Sequence, residues 1–520
     1  MENNKNVFES KPVSYWIDST KNTYYEPLDS DINVDVAVVG GGMAGITLSY
    51  LLKKRGLKVA LIEAERIING ASGHTTAKIT YQHNLIYDKL IRDFGKEKAL
   101  QYFKANKYGA GLIEKFIKEM NIECDYLKEP AYVYTQSDNY ADKVEDEVKA
   151  AKELGIDAKY CKDIPIPIDV KAAVKFENQA QFHPRKYLLA LAEKIPGDGS
   201  FIFENTRAVD IKEGDVCEVI TQNGKKVLAS NVVIDTHFPF FDGKGFYFAR
   251  MYAEKSYAIA VEAEHEFNGG MYINAETPVR SLRSQKCGDE DILIVGGENH
   301  KTGQDKHTNT HYENLFNFAK KTFGVKNVLY RWSTQDYVTL DDIPYIGHLT
   351  SKFKNIYVAT GFKKWGMTNS TASAAIIADM ITNGKSEYED VFNPSRYTPS
   401  STGRLFTVNM SVAKDYIKGK MEPADIVNNE SKIKKGEAEI VEKNGKKYGA
   451  YRDIDGKLYE VDITCTHMGC ELSWNEAEKT WDCPCHGSRF KYNGEVVEGP
   501  AFIPLKNYGE GDNNKDANVF

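Results

Sequence analysis

The stretch Asp35-Val-Ala-Val-Val-Gly-Gly-Gly-Met-Ala-Gly45 decides the fold of the N-terminal part of the chain. Residues 35–39 are a short apolar run and read as a buried strand. Gly40 to Gly45 spell G-x-G-x-x-G. Residues 46–54 have helical character, and Gly56 stops them. Residues 59–62 read as a second buried strand, with Glu63 at its end. In this strand–turn–helix–strand setting the glycines permit a tight turn, close approach of the backbone to a pyrophosphate, and close helix–strand packing. The helix N-terminus offers unpaired N–H groups to phosphate, and Glu63 can accept from a ribose hydroxyl. Gly40, Gly42, Ala44, Gly45 and Glu63 are therefore candidate dinucleotide-binding residues. The pattern alone does not separate FAD from NAD.

Beyond this unit, residues 84–120 read as two helices and 141–154 as another. Residues 232–235, 292–295 and 356–359 read as buried strands, and 370–381 as a small-residue helix suited to close packing on a sheet. The character changes at 393–435. Pro394, Pro399 and Ser400-Ser401 open this segment, a helix is expected over 405–419, and 423–435 is polar and charged. Leu405, Phe406, Val408, Val412, Tyr416 and Ile417 are expected to pack on the preceding domain, with a membrane-surface helix as the alternative. From 436 onward come short strands and tight turns, with Asn444-Gly445, Asp455-Gly456 and Asn493-Gly494 as hairpin signals.

The eight cysteines are unevenly spread. Cys124, Cys161, Cys217 and Cys287 are scattered and read as buried or inert thiols. Cys465, Cys470, Cys483 and Cys485 crowd together, which in a cytosolic protein signals metal binding more often than a disulfide scaffold. Cys465-Thr-His467 and Cys483-Pro-Cys-His486 pair sulfur and imidazole donors at short spacing, and zinc is one metal such a set can hold.

Both loops, Cys465-Thr-His-Met-Gly-Cys470 and Cys483-Pro-Cys-His-Gly-Ser488, closely resemble the Rieske family beyond the donors themselves. The resemblance implies a [2Fe–2S] cluster with Cys465 and Cys483 on one iron, and His467 and His486 on the other. It further implies a Cys470–Cys485 disulfide between the loops and a hydrogen bond from Ser488 to cluster sulfur. Phe490 stands where high-potential members have a tyrosine donor, so the potential is expected to lie below theirs.

Three other stretches resemble D-amino-acid oxidase-like FAD-dependent oxidoreductases, the glycine and D-amino acid oxidases among them. Ile68-Asn-Gly-Ala-Ser-Gly-His-Thr-Thr-Ala77 resembles the loop beside the flavin, and Asp342-Ile-Pro-Tyr-Ile-Gly347 and Val358-Ala-Thr-Gly-Phe-Lys-Lys-Trp-Gly-Met-Thr368 resemble the C-terminal flavin-contacting stretches. The resemblance makes the dinucleotide FAD. It adds Ser72, Thr75, Thr76, Val209, Gly361, Gly366, Met367 and Thr368 as cofactor-binding positions, and Lys364, Trp365 and His74 as catalytic candidates. Arg280, Arg283, Tyr257 and Tyr272 are candidates for holding a substrate carboxylate, with a structural or solvated role as the competing reading. No second G-x-G-x-x-G is present for a nicotinamide; Gly296-Gly297 follows a strand but does not continue the fingerprint.

The implied architecture is α/β (α+β). An FAD-binding Rossmann-like domain is interleaved with an antiparallel-sheet substrate domain, and a small all-β Rieske domain follows. The expected division is an N-terminal extension at 1–33, the oxidoreductase at 34–392, a connecting segment with a helix at 393–435, and the Rieske domain at 436–520. Within the oxidoreductase, 34–83, 171–236 and 330–392 are assigned to FAD, and 84–170 and 237–329 to substrate. The 520-residue length agrees with about three domains at roughly 150 residues each.

Composition narrows the partners. A net charge of −7 argues against nucleic acid. No run approaches the roughly 18 apolar residues of a membrane span. The polar start at 1–20 reads as neither a signal peptide nor a twin-arginine signal, so the expected compartment is the cytoplasm. The function implied is oxidation of an amino acid or amine C–N bond by FAD. Electrons then pass through the cluster to an external acceptor, and flow in the reverse direction from a donor stays open. Two alternatives are an electron shuttle with no organic substrate and a Rieske oxygenase. The second would need a mononuclear iron site; His300, His307 and His311 with Asp305 could mimic one, but they lie in what reads as a polar, solvated loop.

Overall fold

Strand Ile32–Val39 lies between two parallel neighbours, Val59–Ile62 and Lys226–Ile234, in registers that set Val36 against Val59 and against Asn231. Val36, Ala37 and Val38 are fully buried, as expected for a run that is apolar on both faces of a parallel sheet. The sheet continues in parallel to Ile356–Thr360 on one side and Phe201–Phe203 on the other. Tyr345–His348 closes one edge antiparallel, and the hairpin Ala208–Lys212/Cys217–Thr221 branches from Lys226–Ile234. Helices Met43–Lys54 and Gly366–Asn383 pack together beside this sheet. The crossing of Lys96–Met120 with Gly366–Asn383 is close because Gly109 has no side chain. A Cβ there would sit 2.7 Å from the Thr368 carbonyl oxygen.

A second, nine-stranded sheet runs in the order Val325–Thr339, Met251–Ala263, Glu290–Lys301, Arg280–Cys287, Met271–Asn274, Leu127–Thr135, Ala172–Gln181, Lys78–Ile79, with Ala158–Cys161 branching from Ala172–Gln181. It is mixed, not purely antiparallel, because Met271–Asn274 runs parallel to Leu127–Thr135. Ala172–Gln181 and Lys78–Ile79, expected with the FAD-binding parts, lie in this sheet. An apolar strand pattern specifies burial but not which sheet buries it.

This computed structural model describes residues 7–421, 430–443 and 445–508. The chain divides into two compact units. The first comprises Met1–Met251, Lys255–Asn299 and His311–Gly403; the second comprises Tyr252–Glu254, His300–Thr310 and the chain from Arg404. Of the expected extension at 1–33, residues 1–6 lie outside the described residues. The short helix Tyr15–Asp18 is integral to the first unit, with Tyr15 and Trp16 buried in its main core.

In the second unit, strands Ala438–Lys443, Lys446–Arg452 and Leu458–Asp462 form one antiparallel sheet. Strands Ser473–Asn475, Thr480–Asp482, Arg489–Lys491 and Val496–Glu498 form another. The turn at Asp455-Gly456 closes with Gly456 N–H donating to Asp453 O, and that at Asn493-Gly494 with Gly494 N–H donating to Lys491 O. Asn444, in the third expected turn, and residues 422–429 of the connecting segment lie outside the described residues. Trp481 is fully buried, and its ring occupies the space a side chain on Gly449 would need: a Cβ there would be 2.4 Å from the indole.

The helix expected at 405–419 spans Pro399–Met421. It does not pack as expected. Val412 and Tyr416 lie against the core of the second unit, which contains Cys465 and Cys483, while Leu405, Phe406 and Ile417 are exposed. Helical spacing identified an apolar face, but it cannot say which body that face meets.

Candidate functional site

The first unit builds a phosphate cradle. Gly42 is the N-cap of Met43–Lys54 and brings no side-chain cap of its own; of the first N–H groups, that of Met43 is held by Ser72 and that of Gly45 by the Asp235 carboxylate. Gly40 has φ +118°, a backbone conformation that favours glycine. A Cβ on Gly45 would lie 2.0 Å from the Gly40 carbonyl oxygen, so a side chain there would force helix and turn apart. Ala44 is buried beside them. Ser72 Oγ accepts the Met43 N–H at 3.0 Å, which ties the 68–77 loop to the helix start.

Glu63 accepts the Gly41 N–H at 2.7 Å and the Glu65 N–H at 3.0 Å, and burial pushes its carboxyl up from the usual range. Val209 is the bulged residue between Ala208, which pairs with Thr221, and Asp210, which pairs with Ile220.

Buried donors hold the 68–77 loop by its carbonyls. Trp16 Nε1 donates to Thr75 O at 2.7 Å, Trp332 Nε1 to His74 O at 2.9 Å, and Arg283 Nη1 to Thr76 O at 3.3 Å and Ala77 O at 2.9 Å. Ser14 Oγ donates to Gly73 O, and Arg185 reaches Ile68 O and Asn69 Oδ1. Thr75 Oγ1 accepts from Ala77 N–H. The His74 ring is tied back to its own loop through Nδ1 and Gly70 O at 3.0 Å.

The C-terminal stretch brings Lys364 and Trp365 to defined partners. Lys364 Nζ pairs with Asp336 at 3.0 Å and approaches Ser256 Oγ at 3.5 Å, all three being half-buried or buried. Trp365 is the N-cap of Gly366–Asn383, another helix start with no side-chain cap, and its ring stacks on His83 at 5.0 Å. His83 is buried among Tyr102 OH at 2.6 Å, Thr80 O at 2.8 Å and Thr368 Oγ1 at 3.1 Å. Burial drives its pKa down to about 3, so the ring is neutral at physiological pH. Gly361, with φ +76°, has Thr339 Cγ2 where its Cβ would be, and Met367 is buried. His83, Asp336 and Ser256 carry no motif. Only the three-dimensional contact with Lys364 and Trp365 singles them out.

The carboxylate-binding candidates are held by structural partners. Arg280 pairs with Glu298 at 2.5 Å. Arg283 is fully buried, serves backbone carbonyls, and lies 5.3 Å over the Trp16 ring. Tyr257 stacks on His311, and Tyr272 stacks on Tyr132 while its hydroxyl donates to Gly269 O. The glycine cradle, the helix start at Met43 and the Glu63 carboxylate fit the pyrophosphate and ribose of FAD.

The second unit assembles the other donor set. Cys465 and Cys483 are buried with their thiols hydrogen-bonded to each other, which pushes one thiol down and the other up. Two buried thiols side by side ionise together only with a cation between them. Backbone N–H groups of His467 and Met468 point at the Cys465 sulfur, and those of Cys485 and His486 at the Cys483 sulfur. The Ser488 hydroxyl also reaches the Cys465 sulfur and accepts the Ala501 N–H at 3.0 Å.

The rings of His467 and His486 are 5.1 Å apart, each with Nδ1 buried. Burial lowers the His486 pKa to about 4, leaving the neutral imidazole that metals bind. Cys470 and Cys485 form a disulfide between the two loops. Two thiols and two imidazoles on disulfide-tied loops fit a [2Fe–2S] cluster with two sulfur and two nitrogen ligands. Phe490 is fully buried opposite Trp481 and brings no hydroxyl.

The histidines at 300–311 form no such set. His300 bonds Lys301 O, Asp305 accepts the His307 N–H, and His311 bonds Glu298 at 3.1 Å. Among the described residues, the one group of three close metal-type donors is Cys470, Cys483 and Cys485, beside this centre.

Comparison with known proteins agrees with both halves. The family described as FAD dependent oxidoreductase matches residues 35–380, and the Rieske [2Fe-2S] domain matches residues 425–509. The chain is 44% identical to the putative Rieske 2Fe-2S iron-sulfur protein YhfW of Bacillus subtilis, covering 97% of this chain and 99% of that one. It is 23% identical to gamma-glutamylputrescine oxidoreductase of Escherichia coli, over 76% of this chain and 94% of the relative. Among solved structures, glycine oxidase from Geobacillus kaustophilus superposes with a TM-score of 0.60 at 18% identity, covering 70% of this chain and 99% of that one.

Proposed function

Because the chain belongs to the FAD dependent oxidoreductase family and carries a C-terminal Rieske [2Fe-2S] domain, we propose that it oxidises the C–N bond of an amino acid or amine and passes the electrons to an external acceptor. The observation that carries the reading is the presence, on one chain, of a dinucleotide cradle and of a two-thiol, two-imidazole centre. Bound FAD supplies a two-electron acceptor for substrate and the cluster a one-electron relay. The amine class is supported by the relatives, one named for γ-glutamylputrescine and one for glycine. The cytoplasmic setting expected above belongs to this reading.

The chain's own residues orient the reactants. Gly40, Gly42, Gly45 and Glu63 hold the dinucleotide, and the pinned 68–77 loop fixes its far wall. Lys364, paired with Asp336, is the group assigned to a substrate carboxylate. Trp365, stacked on a neutral His83, supplies a rigid apolar wall that excludes water. Cys465, Cys483, His467 and His486 hold the cluster.

The test is anaerobic mixing of oxidised protein with a panel of amino acids and secondary amines. Flavin bleaching is followed optically and the cluster by electron paramagnetic resonance. The reading expects one compound to bleach the flavin first and then raise the cluster signal. Bleaching by none of them, with ready reduction by a carrier protein, moves the assignment to electron shuttling.

A further inference from the structure

We propose that the outer face of the Pro399–Met421 helix docks on an anionic lipid bilayer. The inner face is committed to the second unit. Val412 and Tyr416 pack on its core, and Ser411 and Asp415 accept from Lys301 Nζ at 3.2 and 3.3 Å. Asp415 also accepts from Gln304 at 2.8 Å.

The opposite face is apolar and uncovered. Phe406 is 69% exposed, Met410 55% and Ile417 55%. With exposed Ala413 they stand at i, i+4, i+7 and i+11, a straight stripe on a 3.6-residue helix. At 1.5 Å per residue the stripe is about 16 Å long. Leu405 lies beside it, also exposed.

Charge selects the occupant. The helix sequence carries Lys414, Lys418 and Lys420, and Lys414, next to Ala413 of the stripe, is exposed. The helix has one acidic residue, Asp415, on the inner face and paired with Lys301. The helix is therefore cationic, and Lys414 is the described charge beside the stripe, on a chain whose net charge is −7. A second copy docked face to face would oppose lysine with lysine and offer no carboxylate. An anionic bilayer instead receives the apolar stripe at its headgroup boundary and the lysines at its phosphates. Docked in this way, the second unit lies against the surface in which lipid-soluble electron carriers diffuse.

The docking does not rest on the amine reading, and its test measures binding, not turnover. Holoprotein is floated with vesicles of phosphatidylglycerol and phosphatidylcholine in equal parts, and with phosphatidylcholine alone, at low and high salt. Flotation is expected with the anionic vesicles only, weakening at high salt. F406E/I417E should lose at least about tenfold in partitioning, and K414E at least about fivefold, since it removes one basic residue near the surface and adds an acidic one. Unchanged flavin absorbance and cluster resonance verify folding. K414E, a change at an exposed lysine, decides the matter if the double variant loses either signal. Absence of flotation with anionic vesicles, or equal flotation of wild type and K414E, overturns the proposal. A wild-type dimer in light scattering that F406E/I417E dissociates, without vesicle binding, assigns the face to a second copy instead.

Discussion

Replacing Arg283 by leucine tests whether this buried arginine supports the flavin-side loop or binds substrate. Its guanidinium donates to Thr76 O, Ala77 O, Phe182 O, Ser284 O and Gln285 Oε1, and it is fully buried. Leucine fills much of the space but leaves at least three buried carbonyls without their charged donor. A hydrogen bond from a charged group contributes about 1.5–3 kcal/mol. Removing the charge also removes its own desolvation cost, which offsets part of the loss. The net expectation is about 3–5 kcal/mol, a large share of the roughly 5–15 kcal/mol that holds a domain folded. Because two of the lost bonds hold the 68–77 loop, FAD retention should fall in parallel. Urea titration of the flavin unit, followed by tryptophan fluorescence and by flavin release on gel filtration, measures both. A variant that unfolds within about 1 kcal/mol of wild type, keeps its FAD and raises KM would refute the structural assignment and make Arg283 a substrate ligand.

Ser488→Ala removes the hydroxyl that reaches the Cys465 sulfur. It should lower the cluster potential by about 60 mV, the one-electron equivalent of about 1.4 kcal/mol, as redox titration monitored by electron paramagnetic resonance would read. Lys364→Met leaves Asp336 without its Lys364 ion pair and removes a cation from the 358–368 stretch. Flavin reduction in stopped flow should weaken about tenfold or more for carboxylate-bearing substrates, and far less for simple amines. Glu298 is buried, which raises its pKa, but hydrogen bonds from His311 and Asn314 and the charge of Arg280 overcome this and hold it at about 2. Its stabilising contribution is therefore complete above its ordinary 4.5 and is lost as pH falls from there toward 2. Glu298→Gln should flatten the acid limb of the unfolding curve in that window.

The parts of the molecule legible in the sequence are those whose chemistry is local. The glycines at 40–45 must follow a strand and open a helix to work, so the motif carries its structural context with it. The cluster loops place their donors two or three residues apart, and the structure brings Cys465, His467, Cys483 and His486 together. What was not legible depends on contacts between residues distant in the chain. His83 reaches Trp365 across more than 280 positions, and Asp336 meets Lys364 from a strand with no distinguishing pattern. Trp16 sits in the stretch set apart in the sequence as an N-terminal extension, yet it holds Thr75 O from the core. The Pro399–Met421 helix shows the limit most clearly. Its spacing is compatible with two apolar faces, and the sequence reading assigned their residues jointly to one neighbour. Asp415 separates them. Half-buried and paired with Lys301, it fixes the inward side, and the Phe406 stripe is left exposed.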